Sequence, residues 1–156
     1  MAGSTIVADA SLFNKLFLDE DDRHSALEFF GALEGSAVKL IAPRLLIYEV
    51  LAVCLGQSVD GGMVLGILDD LQRSILEVRD LTPSEWNAAI KIAETGHPKS
   101  GFPSLYDAAY HALAIETGGT FITTDRRHIA KTGSFGHVAL LKDWRHVLSA
   151  ENDIGE

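Results

Sequence analysis

Five short runs of strand-type residues, each closed by a turn signal, alternate with segments of helical period, and this alternation limits the architecture sharply. The runs lie in STIVADAS, VKLIAP, ILEV, GGTFITT and HVALL. The first is a short buried strand, 6–8, that ends at Asp9. Parallel strands need long crossovers, and helices supply them by covering both faces of the sheet. The expected fold class is therefore α/β: a three-layer α/β/α arrangement around a central, mostly parallel sheet of about five strands.

The helical segments carry their own signals. In RHSALEFFGALEG, residues Ala26, Phe29, Phe30 and Leu33 share one face. The segment RLLIYEVLAVCLG puts Leu46, Val50 and Val53 on an apolar side, with Pro43 suited to its first turn and a stop near Gly56. GGMVLGILDDLQRS reads as another helix despite three glycines. In LTPSEWNAAIKIAETG, Thr82 as cap, Pro83 in the first turn and Glu85 three residues after the cap form a start signal. A Gly/Pro-rich connection, HPKSGFP, leads to a helix from Ser104 or Leu105 to about Thr117, and DRRHIAKT forms a short helix after the fourth strand.

With 156 residues the chain fits one domain, taken as 1–150, followed by a polar tail at 151–156 that is expected to fray. No apolar run approaches the length needed to cross a bilayer, and the N-terminus lacks a basic stretch followed by a long apolar one, so a cytoplasmic protein is expected. Cys54 has no second cysteine to pair with and reads as a small buried residue. The formal charge of -9, from 22 acids against 13 bases, opposes binding of nucleic acid by charge attraction alone. Cations gathered by acids would change the local sign.

Asp9 and Asp125 each follow a strand directly, where parallel sheets collect ligands. Each is equally suited to capping the helix behind it. Asp107, three residues after Ser104, resembles the acidic member of a capping box. Glu49 lies inside a helix near its apolar side, where a carboxylate needs a cation, hydrogen-bond donors or a path to solvent. Together the four would offer the hard oxygen ligands that Mg2+ or Mn2+ prefers.

These blocks carry a family resemblance. IVADASLFNKLF with Asp9, APRLLIYEVLAVCL with Glu49 and LYDAAYHALAIETGGTFITTDRRH with Asp107 and Asp125 resemble the PIN-domain family, most closely its small VapC-like toxins. The resemblance spans about residues 5–144, including HVALLKDW. It implies a compact PIN-like α/β/α domain and metal-dependent endoribonuclease activity, with Asp9, Glu49, Asp107 and Asp125 as catalytic and metal-holding positions. Mg2+, or Mn2+ in its place, is the implied cofactor. It also implies a cognate antitoxin that neutralises the toxin, and an RNA substrate such as tRNA or rRNA.

Thr123 matches the family's hydroxyl residue before the last acid; it would support the site or simply satisfy the turn. Lys15, Arg126 and Arg127 are candidates for RNA phosphate contact, with an ordinary solvated charge as the competing reading of each. His111 reads as a helix-face residue; His128 could contact RNA, with a surface or packing role as the favoured reading. SVDGGMVLG is unusually glycine-rich for this family's middle region. A homodimer through apolar helices is a further expectation. The competing function is a catalytically weak or inactive PIN-like module that binds protein or RNA. A dinucleotide-binding or phosphate-loop enzyme is disfavoured, because neither glycine motif is present.

Overall fold

A computed structural model describes residues 4–154. Its sheet has five parallel strands, β1 (Thr5–Ala8), β2 (Lys39–Pro43), β3 (Leu76–Arg79), β4 (Thr120–Thr123) and β5 (Val138–Leu140), in the order β3-β2-β1-β4-β5. Helices α1 (Ala10–Asn14) and α2 (Arg23–Leu33) join β1 to β2, and α3 (Leu45–Gly56) and α4 (Gly61–Gln72) join β2 to β3. After β3 come α5 (Pro83–Glu94) and α6 (Leu105–Thr117), then α7 (Arg126–Thr132) between β4 and β5, and finally α8 (Trp144–Ile154).

The strand order explains where a site can form. From β1 the chain steps outward to β2 and β3, whereas from β4 it steps the other way to β5. Right-handed crossovers then place the helices of the two halves on opposite faces. In such sheets a ligand crevice is expected where the halves part, here at the carboxyl ends of β1 and β4. The register pairs Ala8 with Ile122, so the next residues, Asp9 and Thr123, stand side by side at its floor.

The middles of the inner strands are apolar because both faces are covered there: Ile6, Val7, Leu40, Phe121 and Ile122 are buried. Phe13, Phe29 and Phe30 interlock on the α1–α2 side, with ring centroids 5.0 and 5.3 Å apart. Tyr110 stacks on Phe121 from α6, centroids 5.9 Å apart and planes 10° from parallel. Each such buried side chain contributes about 1.5–3 kcal/mol.

The turn from α6 into β4 demands glycine twice. Gly118 ends α6 in the left-handed region at φ 74°. A Cβ on Gly119 would lie 2.1 Å from the Thr5 carbonyl oxygen, so only glycine lets β4 meet β1 here.

The expected start signal of α5 is present in full. Thr82 accepts from Glu85 N–H at 3.2 Å, and the Glu85 carboxylate accepts from Thr82 N–H at 2.8 Å. Glu85 also binds Arg79 through two contacts of 2.7 and 2.8 Å, which explains how a carboxylate can be buried there.

Several sequence expectations are corrected. Pro43 ends β2, as its place after the strand-type run predicts, but it does not open α3, whose cap position is Arg44. On α3 the buried stripe is Leu46, Val50 and Cys54, while Val53 is exposed; strict four-residue spacing keeps that stripe under the neighbouring elements. Residues 151–154 are helical and continue α8, an element the sequence reading does not include. Glu151 is buried: its backbone carbonyl accepts from the Ser4 hydroxyl, and its carboxylate accepts from Thr120 Oγ1 at 3.2 Å. Residues 155 and 156 lie outside the described residues.

Candidate functional site

The four acids reach the crevice from four different elements. Asp9 follows β1 and caps α1, accepting from Ser11 N–H at 3.0 Å and from the Ser11 hydroxyl through Oδ1. Its other oxygen accepts from Thr123 Oγ1 at 2.5 Å. Asp125 follows β4 and caps α7, accepting from Arg127 N–H at 2.9 Å and His128 N–H at 3.3 Å. The capping readings therefore hold for both, and they do not compete with a site: capping fixes each carboxylate at the end of its strand.

Thr123 ties these two acids together. Its fully buried hydroxyl donates to Asp9 and accepts from Asp125 N–H at 3.0 Å, so one side chain sets the spacing of both strand ends. Glu49, on α3, is half-buried and accepts from Tyr110 Oη at 2.7 Å. Tyr110 was missed in the sequence. The available signal was its place three residues after Asp107, on the same side of α6. Asp107 is half-buried in the first turn of α6, with its N–H donating to Ser104 Oγ at 3.1 Å.

The acids perturb one another. Burial pushes Asp9 up to about 6 against the lowering pull of Ser11 and Thr123, and repulsion from Asp107 adds to the rise. Glu49 is raised, chiefly by burial, partly offset by the Tyr110 hydrogen bond and reinforced by Asp107. Asp107 is also raised by burial; the Ser104 hydroxyl counters this, Asp125 adds to it, and Lys131 relieves it. Burial and Glu49 keep the Tyr110 phenol protonated, so it acts as a donor. Such mutual discomfort marks a place that favours added positive charge.

The oxygen-only donor set suits Mg2+ or Mn2+ by chemistry. In arrangement it is open: among the described residues no three His, Cys, Asp or Glu side chains converge closely enough to hold a metal ion. Both Asp9 oxygens and Glu49 Oε1 accept from hydroxyls.

Arg126 and Arg127 are exposed at the start of α7, and Arg126 lines a depression with Asp22, Ser25, Thr124 and Lys142. Lys15 is buried along its length, and its ammonium pairs with Glu20 at 3.5 Å. Cys54 is buried, and burial raises its thiol, consistent with a packing role. His111 and His128 differ from their reading as individual helix residues. Both are buried, and they contact each other at 3.0 Å. Burial lowers both to about 4, leaving the rings neutral at neutral pH.

A family model described as PIN domain matches residues 6–134. No curated protein matches the chain. Among solved structures, a protein from Pyrobaculum aerophilum aligns over 96% of this chain and 99% of its own, at 20% identity and a TM-score of 0.61. The VapBC2 structure from Rickettsia felis, bound to a DNA fragment from its promoter, aligns over 87% and 96%, at 13% identity and a TM-score of 0.60. A PilT N-terminus domain protein from Sulfolobus solfataricus aligns over 94% and 92%, at 18% identity and a TM-score of 0.50. At these identities the likenesses speak to the fold.

Proposed function

The chain belongs to the PIN-domain family, and from that premise we propose that it is a metal-dependent endoribonuclease toxin, held in check by a cognate antitoxin. The observation that supports this reading best is the crevice at the ends of β1 and β4. There Thr123 couples Asp9 to Asp125, and Asp107 repels both Asp9 and Glu49.

Asp9, Glu49 and Asp107 would hold the cation, with Asp125 completing the set. A bound Mg2+ or Mn2+ supplies Lewis-acid activation of the attacking water and offsets phosphate charge. Thr123 orients Asp9 and fixes the backbone of Asp125. Tyr110 orients Glu49 through Oε1. Arg126 and Arg127, exposed beside Asp125, are placed to meet RNA phosphates as the strand enters. Lys15 would have to exchange Glu20 for a phosphate to do the same. The net charge of -9 makes cation binding a condition for RNA approach.

The antitoxin proposal is in line with the similar VapBC2 structure. No helix among the described residues is long and apolar enough to cross a membrane; action on RNA in the cytoplasm is part of the proposal, as is a homodimer. The open arrangement of the acids favours one competitor, a PIN-like module that binds partners without cutting.

Cleavage of a panel of tRNAs and rRNA fragments by antitoxin-free protein separates the two, with EDTA, Mg2+ and Mn2+ arms. Folded Asp9→Asn and Asp107→Asn proteins serve as controls. Metal-dependent cuts absent from both variants are expected. Folded wild-type protein that cuts no RNA in any arm would favour the binding module.

A further inference from the structure

Behind the acids, the buried His111 and His128 form a relay whose protons can be placed by donor logic. The Gly136 carbonyl accepts only, so His111 Nε2, 2.7 Å from it, carries a proton. The neutral ring then presents Nδ1 as an acceptor. His128 Nε2, 3.0 Å from that atom, must donate to it. His128 Nδ1 is left as a buried acceptor without a hydrogen-bond partner among the described residues.

The relay links the two helices that begin at acids. Asp107 lies one turn before His111 on α6, and Asp125 caps α7 three residues before His128. Among the described residues no other hydrogen bond joins α6 to α7, and their backbones approach closely at few points. Aromatic walls hold the rings in place: His111 and His128 stand 5.8 and 5.5 Å from Phe121, and Phe135 lies 6.3 Å from His111. Leaving one nitrogen unpaired in such surroundings is costly, so packing alone would be better served by an apolar ring.

We propose that His111 and His128 are positioning residues, whose hydrogen bond fixes the separation of Asp107 and Asp125. Its consequence for the cation rests on the nuclease reading; the clamp itself does not. Groups hydrogen-bonded directly to metal ligands typically change metal affinity or activity by about 10–100-fold when removed, and a clamp acting one step further out is expected at the lower end of that range.

The test uses the full chain. Nitrogen-15 spectra of the wild-type histidine rings at neutral pH should show both Nε2 atoms protonated. An unprotonated Nε2 on either ring would overturn the relay. Calorimetric Mn2+ titration of His128→Phe should then show affinity about tenfold below wild type, with helix content retained. His128→Gln, whose amide can donate near the Nε2 position, should recover most of the loss, whereas the shorter His128→Asn should not. Wild-type affinity in folded His128→Phe, or equal affinities in the Gln and Asn variants should Phe not fold, would overturn the proposal.

If wild-type protein neither binds Mn2+ nor cuts RNA, the nuclease reading fails on its own. Crystal structures of wild type and His128→Gln and His128→Asn then decide the clamp. A separation of Asp107 and Asp125 that changes in Asn and not in Gln supports it, and one unchanged in both overturns it.

Discussion

Replacing Asp9 by Asn should stabilise the metal-free protein at neutral pH while weakening the site. The rise of Asp9 from its ordinary 3.8 to about 6 corresponds to about 3 kcal/mol. The sign follows from proton binding: between about pH 4 and 6 the folded state holds the Asp9 proton more tightly than the unfolded state does. This contribution therefore reduces stability as pH rises, is fully exerted above about pH 6 and vanishes below the unfolded value. Asn carries no charge to bury, but its amide nitrogen cannot accept from Thr123, which costs about 1 kcal/mol. Asp9→Asn should thus exceed wild type by about 1–2 kcal/mol at pH 7.5 and fall slightly below it near pH 4.

Urea unfolding in EDTA at pH 4, 6 and 7.5 measures this directly. His111 and His128 act in the opposite sense: with folded values near 4 against 6.5, they make stability rise with pH over that window. They are present in both proteins, so the difference between variant and wild type isolates Asp9. A variant less stable than wild type at pH 7.5, or a difference independent of pH, would show that Asp9 is not held as a strained buried carboxylate.

Thr123→Val removes the donor to Asp9 and the acceptor of Asp125 N–H, so denaturant unfolding should show a loss of about 1–3 kcal/mol. Gly119→Ala forces a Cβ against the Thr5 carbonyl and should cost more than about 4 kcal/mol, seen as loss of a cooperative melt or of soluble protein. Glu151→Ala removes the carboxylate that receives Thr120 Oγ1 and should cost about 1 kcal/mol, lowering Tm by about 2–4 °C in calorimetry.

The legible part of the fold was the part governed by local pattern. Alternating strand and helix periods gave the parallel sheet, and the Thr82–Glu85 signal marked the start of α5 to the residue. Asp9 and Asp125 stood out because strand ends can be read from the sequence. Pairings across the chain were not legible. That the Thr123 hydroxyl serves two acids depends on the β1–β4 register, and the Tyr110 bond to Glu49 depends on how α6 lies against α3. His111 and His128, read singly, looked unremarkable; only the packing of α7 beside α6 makes them a pair. The α8 helix was passed over because its polar end resembles a tail. Its buried face, Trp144, Val147, Leu148 and Glu151, follows helical spacing and was available in the sequence.

Anomalous diffraction from crystals soaked in Mn2+ asks whether the four carboxylates act as one site. A manganese peak is expected in contact with Asp9, Glu49 and Asp107, with Asp125 alongside, and is expected to be lost in Asp107→Asn. A peak elsewhere on the chain, or none at saturating Mn2+, would contradict a shared site.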